Sequence, residues 1–83
     1  MRMDFITFRS ITPAQRAQRL LRQSGVETVL QRTPRWMEQK GCGYCLRLQP
    51  EQRQLALQLL QHTGIQYGKI YADTDGVLEE LTL

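Results

Sequence analysis

Cys42 and Cys45 are the only thiols of this 83-residue chain, three residues apart in Gly41-Cys42-Gly43-Tyr44-Cys45. A pair at this spacing suits dithiol redox chemistry, soft-metal binding, or sulfur transfer through a single thiolate. Gly41 and Gly43 bracket Cys42, so the backbone there can take positive φ and leave amides free to donate to a thiolate. Arg32, Arg35, Lys40 and Arg47 lie close in sequence, against Glu38 alone. Nearby cations depress a thiol pKa, and the thiolate is the nucleophile. The competing reading is a pair of inert, half-buried thiols, because free cysteines often pack as small hydrophobes.

Metal binding fits the sequence poorly. A tetrahedral zinc site takes four ligands, and His62 is the only histidine. Zinc would need two subunits giving two thiols each, so no metal and no cofactor is expected. His62 is better placed to cap a helix C-terminus, where a cation is favoured. A thioredoxin-type site is also a poor fit, because there the CxxC follows the first strand and opens a helix. Here the motif precedes an alternating segment in which Tyr44, Leu46 and Leu48 point one way and Cys45 and Arg47 the other. Cys45 then serves as a resolving thiol or a modulator on the strand face opposite Leu46.

Upstream, Pro34 stiffens the loop and Arg35 offers a fork for a carboxylate or oxyanion. Trp36 either covers the thiol, anchors an interface, or packs over a sheet as ordinary core.

An internal repeat organises the elements that must hold this site. Leu20-Leu21-Arg22-Gln23-Ser24-Gly25-Val26 echoes Leu59-Leu60-Gln61-His62-Thr63-Gly64-Ile65. Each copy ends a helical pattern, with Gly25 and Gly64 at the C′ position and Pro13 and Pro50 at the two openings. The first helix is expected from about Pro13 to Ser24, with Thr12 as N-cap and Gln15 completing a capping box. Its apolar arc is Pro13, Ala14, Ala17, Leu20 and Leu21. The second is expected from about Pro50 to Thr63, with Leu55, Ala56, Leu59 and Leu60 as its stripe and Leu57 at the margin.

Strands are expected at Asp4–Phe8, Glu27–Gln31, Tyr44–Leu48 and Gln66–Ala72. Asp4–Phe8 is nearly apolar on both faces, as a central strand should be. The order β-α-β-β-α-β predicts an α+β, ferredoxin-like sandwich: a four-stranded antiparallel sheet with two helices on one face. Right-handed crossovers prune most other topologies. Residues 1–73 form this single domain. Residues 74–83 are an acidic C-terminal tail, in which Val77, Leu78 and Leu81 suit a short docking or swapping helix. The Arg32–Gly43 connection is too long for a tight hairpin, and such loops are commonly functional.

Composition sets the class. With 41% hydrophobic and 23% charged residues the chain is globular rather than disordered. No apolar run approaches the roughly 18 residues that span a bilayer. The N-terminus has no signal-peptide core, since Asp4 and Arg9 interrupt it. A cytoplasmic location follows, and in that reducing compartment a close cysteine pair favours catalysis or metal binding over a structural disulfide. The net charge of +3 is unevenly spread. Arg2, Arg9, Arg16, Arg19, Arg22, Arg32 and Arg35 crowd the first 35 residues, while Asp73, Asp75, Glu79 and Glu80 follow Lys69 with no base among them. A solvated basic face is the simpler reading, since +3 is weak for a nucleic-acid binder. RNA recognition would also want exposed aromatics on central strands, a role open only to Phe5 or Phe8.

Several short patterns together resemble the Putative Se/S carrier protein-like family of small bacterial domains. They are Ile6-Thr7-Phe8-Arg9-Ser10 with Thr12 and Ala14, then Gly25-Val26, Thr33-Pro34-Arg35 and Gly41-Cys42-Gly43. The resemblance covers about residues 3–72. Its most specific part is a Pro-Arg dipeptide followed several residues later by Cys-Gly. It implies that Cys42 holds sulfur or selenium as a persulfide or perselenide and that Arg35 is the family's Pro-Arg arginine. Cys45 departs from the family, where an aliphatic residue is common.

The function expected is a small cytoplasmic sulfur or selenium carrier, more a carrier than a classical enzyme. Cys42 is the acceptor, Arg35 and the Gly41/Gly43 amides stabilise its thiolate, and Cys45 modulates or resolves. Its partners would be the proteins of sulfur or selenium transfer, with a cysteine desulfurase as a fitting donor. Neither a membrane nor nucleic acid is the expected partner, and a homodimer is compatible with so small a core. The alternatives are a dithiol redox protein using Cys42 and Cys45, and a ferredoxin-like interaction module without catalysis.

Overall fold

The computed structural model describes residues 1–37 and 43–81. Among these residues five strands and two α-helices follow in the order β1 (Arg2–Phe8), α1 (Ile11–Gln23), β2 (Val29–Arg32), β3 (Tyr44–Leu48), α2 (Arg53–Thr63), β4 (Ile70–Thr74) and β5 (Val77–Leu81). The sheet is antiparallel throughout, in the order β2-β3-β1-β4-β5. The nearly apolar β1 is central, as expected, paired with β3 and β4.

Alternation along β1 divides the molecule into two apolar layers. Ile6 and Phe8 join Leu46, Leu48 and Ile70 beneath both helices, where Ala14, Ala17 and Leu21 of α1 meet Ala56, Leu57 and Leu60 of α2. Phe5 points the other way, into a smaller cluster with Met37, Cys45 and Tyr71.

The Leu-Leu-x-x-x-Gly repeat builds the same helix end twice. Val26 N–H donates to Leu21 at 2.8 Å and Ile65 N–H to Leu60 at 3.0 Å, across glycines at φ +84° and +78°. Each apolar residue after the glycine is then buried against the main core.

The beginnings of the helices differ from expectation. Helix α1 starts two residues early, with extended Ser10 as N-cap and no side-chain capping bond, so the Thr12/Gln15 capping box does not form. A 3-10 turn over Pro50–Gln52 precedes α2. Arg53 then reaches the fully buried Asp4 at 2.7 Å, and this fixes the rotation of α2. At about 100° per residue, Ala56, Leu57 and Leu60 share the inward side with Arg53, and Leu55 falls almost opposite. Leu57 is accordingly buried and Leu55 is exposed, the reverse of the expected stripe. Arg2 holds the other Asp4 oxygen at 2.8 Å, so the buried carboxylate is paired from both sides, as burial of a charge requires.

The expected acidic tail with a short helix is replaced at Val77–Leu81 by β5, so the sheet has five strands rather than four. Asp75 and Gly76 take φ +52° and +90°, and they join Thr74 directly to Val77 as a two-residue hairpin turn. The Gly76 amide donates to Asp73 at 2.9 Å. β4 begins later than expected because Thr7 intervenes: its hydroxyl accepts the Lys69 amide at 2.8 Å in place of a ladder partner. Among the described residues, no helix is long and apolar enough to cross a membrane.

Candidate functional site

The loop after β2 folds back over the sheet face that the helices leave open. Met37 N–H donates to Pro34 O at 3.0 Å, closing a turn over residues 34–37. The Tyr71 hydroxyl donates to Met37 O at 3.0 Å and fastens the turn to β4. Trp36 stands edge-on to Phe5 and Tyr71, with ring centroids 5.9 and 5.5 Å apart. Such T-shaped pairs add about 1 kcal/mol each beyond the area they bury. Trp36 thus packs over the sheet and keeps 38% of its surface exposed. From this loop it is Met37 that is buried in the second cluster with Phe5, Cys45 and Tyr71, a residue the sequence reading did not single out.

Cys45 lies on β3 between Thr7 of β1 and Gln31 of β2, on the face opposite Leu46 as expected. It is free and fully buried. Burial pushes its thiol up to about 11, against smaller downward pulls from Gln31, Thr33 and Arg47. Among the described residues the Thr33 hydroxyl has no hydrogen-bond partner, so its hold on the sulfur is weak. Cys45 is therefore a protonated thiol near neutral pH, packed like a small hydrophobe.

The raised value has a consequence for stability. An unfolded cysteine ionises near 9.0 and Cys45 near 11. Between those values the unfolded chain has lost the proton that the folded one retains, so stability falls as pH rises through this window. The Cys45 contribution is intact below about pH 9, and about 2 kcal/mol of it is lost by pH 11. Urea unfolding across pH 8–11 should show this decline, and Cys45→Ala should flatten it. An unchanged slope in Cys45→Ala would place the titration elsewhere.

Gly43 marks where the loop rejoins the sheet. Its carbonyl accepts the Thr33 amide at 3.2 Å. Its φ is +123°, and a Cβ there would stand 2.8 Å from the Phe8 carbonyl oxygen. Both facts demand glycine at this position. The glycine next to the candidate nucleophile is thus set by close backbone approach, at the end of the sheet where β1 runs into α1.

Cys42 and Gly41 lie outside the described residues, and so does Lys40. The structure accordingly places Pro34, Arg35, Gly43 and Cys45 but does not relate Arg35 to Cys42. Arg35 is exposed within the turn. Arg32, one of the cations near the motif in sequence, lies over the Tyr44 ring at 5.6 Å. Of the two aromatics considered for RNA stacking, Phe8 is buried under the helices and Phe5 under Trp36. Among the described residues, no three His, Cys, Asp or Glu side chains come together as metal ligands.

No curated protein and no solved structure matches this chain. A family model does match, over residues 4–72, a span that takes in the helix caps, the Pro34-Arg35 turn and the Cys42-Gly43 step. On that match the chain belongs to the Putative Se/S carrier protein-like family.

Proposed function

We propose that this protein carries sulfur or selenium as a persulfide or perselenide on Cys42. Membership of the carrier family supports the class of function. The observation that carries the residue assignment is the burial of Cys45. A thiol with no exposed surface, held protonated up to about pH 11, is a poor attacking group at neutral pH. That leaves Cys42 as the chain's available nucleophile. In the transfer step the Cys42 thiolate attacks the terminal chalcogen of a donor persulfide, such as that of a cysteine desulfurase. A new S–S or S–Se bond forms, and the donor leaves as its thiolate.

Cys45 acts in this reading as a slow resolver. It displaces the chalcogen from Cys42 as hydrogen sulfide or selenide, forming a Cys42–Cys45 disulfide, only after losing its cover and its proton. The same burial disfavours the dithiol redox alternative, which needs both thiols to exchange readily. The loop around the Gly41 and Gly43 amides, with Pro34 and Arg35, is the expected place for the chalcogen anion. Donor and acceptor proteins are the partners this role requires.

The test is incubation of the reduced protein with a cysteine desulfurase and free cysteine, followed by intact mass and peptide mapping. A gain of one sulfur on the peptide bearing Cys42 is the expected result. Persistent absence of any adduct, with a disulfide forming instead, would favour the dithiol redox reading.

A further inference from the structure

A cavity of about 630 Å³ opens where β1 turns into α1. Arg9, Ser10, Pro13 and Arg16 form one wall, and the 64–68 segment with Tyr67 forms the other. Among the described residues, no Asp or Glu lines it. Among the described residues neither Arg9 nor Arg16 is in an ion pair, the paired arginines being Arg2 and Arg53. Two guanidinium groups thus share one concavity with no internal anion to neutralise them. The Ser10 hydroxyl makes no capping bond, which leaves a further donor at the same wall. Across the gap, the Tyr67 hydroxyl accepts a bond from Gln61 at 2.9 Å, and its half-buried ring is held against the main core.

We propose that this cavity binds a phosphorylated small molecule, its phosphoryl group held by Arg9 and Arg16 and its organic body lying against Pro13 and Tyr67. Two cations match the double charge of a phosphate monoester, whose three terminal oxygens can accept both guanidinium forks and the Ser10 hydroxyl. A lone carboxylate has one charge and two oxygens and would leave donors unused. The volume falls within the range of roughly 300–1,000 Å³ typical of small-ligand sites, and it leaves room beyond the phosphoryl group. The site stands independently of the chalcogen chemistry and uses no cysteine. The Arg9 backbone also neighbours Gly43, where a Cβ would lie 3.9 Å from the Arg9 carbonyl.

An amide NMR titration of the full chain with adenosine monophosphate, inorganic phosphate and adenosine tests the proposal. Adenosine monophosphate should shift the amides of Ser10, Ile11, Gly64 and Gly68 saturably. Inorganic phosphate should move the same amides with weaker affinity, and adenosine should not saturate. Arg9→Gln and Arg16→Gln should each weaken nucleotide binding about tenfold or more while leaving the spectrum folded. Unaltered affinity in both variants, equal affinity for adenosine and its monophosphate, or no saturation up to about 10 mM would overturn it.

Discussion

Gly43→Ala should destabilise the fold by about 2–5 kcal/mol, a large fraction of what a domain of this size has to lose. Two costs combine. The backbone at φ +123° lies in a region that residues with a Cβ rarely occupy. The new methyl would also sit 2.8 Å from the Phe8 carbonyl oxygen, and that oxygen belongs to the central strand, so it cannot move aside without disturbing the ladder. Gly25→Ala is the matched control, since its φ is also positive at +84° but nothing lies within 4 Å of the added carbon. It should lose only about 1–2 kcal/mol. Urea denaturation of the two variants separates the terms. A loss at Gly43 no larger than at Gly25 would mean that the loop rejoins the sheet without the close approach described.

The two thiols should differ in alkylation rate at pH 7 by about a hundredfold or more. With its pKa near 11, about one Cys45 in ten thousand is ionised at that pH, whereas an ordinary cysteine near 9.0 is about one per cent thiolate. Burial beneath the Met37 turn slows Cys45 further, because reagent must wait for an opening. Peptide mapping after timed iodoacetamide pulses should find the label on Cys42 first, and unfolding in urea should erase the difference. Comparable labelling in the folded protein would remove the ground for assigning the carrier role to one thiol.

Much of the frame was legible because it rests on local chemistry. The Leu-Leu-x-x-x-Gly repeat encodes two helix ends through a glycine and the apolar residue after it, and both ends form as read. Tyr44–Leu48 was legible for the same reason, since strict alternation leaves one choice of face for Cys45. β5 was carried by an equally local signal, Asp75-Gly76 between Thr74 and Val77, but the acidic side chains around it fit a solvated tail equally well. The orientation of α2 was not legible. Leu55 and Leu57 are the same residue type, and what separates them is Asp4, a carboxylate that sequence alone placed as a mere interruption of an apolar run. Its capture of Arg53 spans 49 positions and leaves no periodic trace.

The site divides in the same way. Gly43 was recognisable as a backbone requirement, although its cause, the Phe8 carbonyl, is a tertiary contact. Nothing in the order Trp36-Met37 says that methionine would be buried in the cluster with the thiol while tryptophan stays partly exposed over its Phe5 and Tyr71 rings. That outcome depends on the Tyr71 hydroxyl catching the Met37 carbonyl. Arg9 and Arg16 read as part of a general basic surface until the fold set the 64–68 segment against them.

The most direct measurement follows the chalcogen adduct through three proteins, charged by a cysteine desulfurase and then freed of donor: the wild type, Cys42→Ser and Cys45→Ser. Cys42→Ser should gain no sulfur, because the attacking thiolate is gone. Wild type and Cys45→Ser should both gain it on Cys42. The adduct should persist longer in Cys45→Ser, because the only intramolecular thiol able to displace it has been removed. An adduct mapped to Cys45, or one that forms as readily in Cys42→Ser as in the wild type, would contradict the assignment of Cys42 as the carrier thiol.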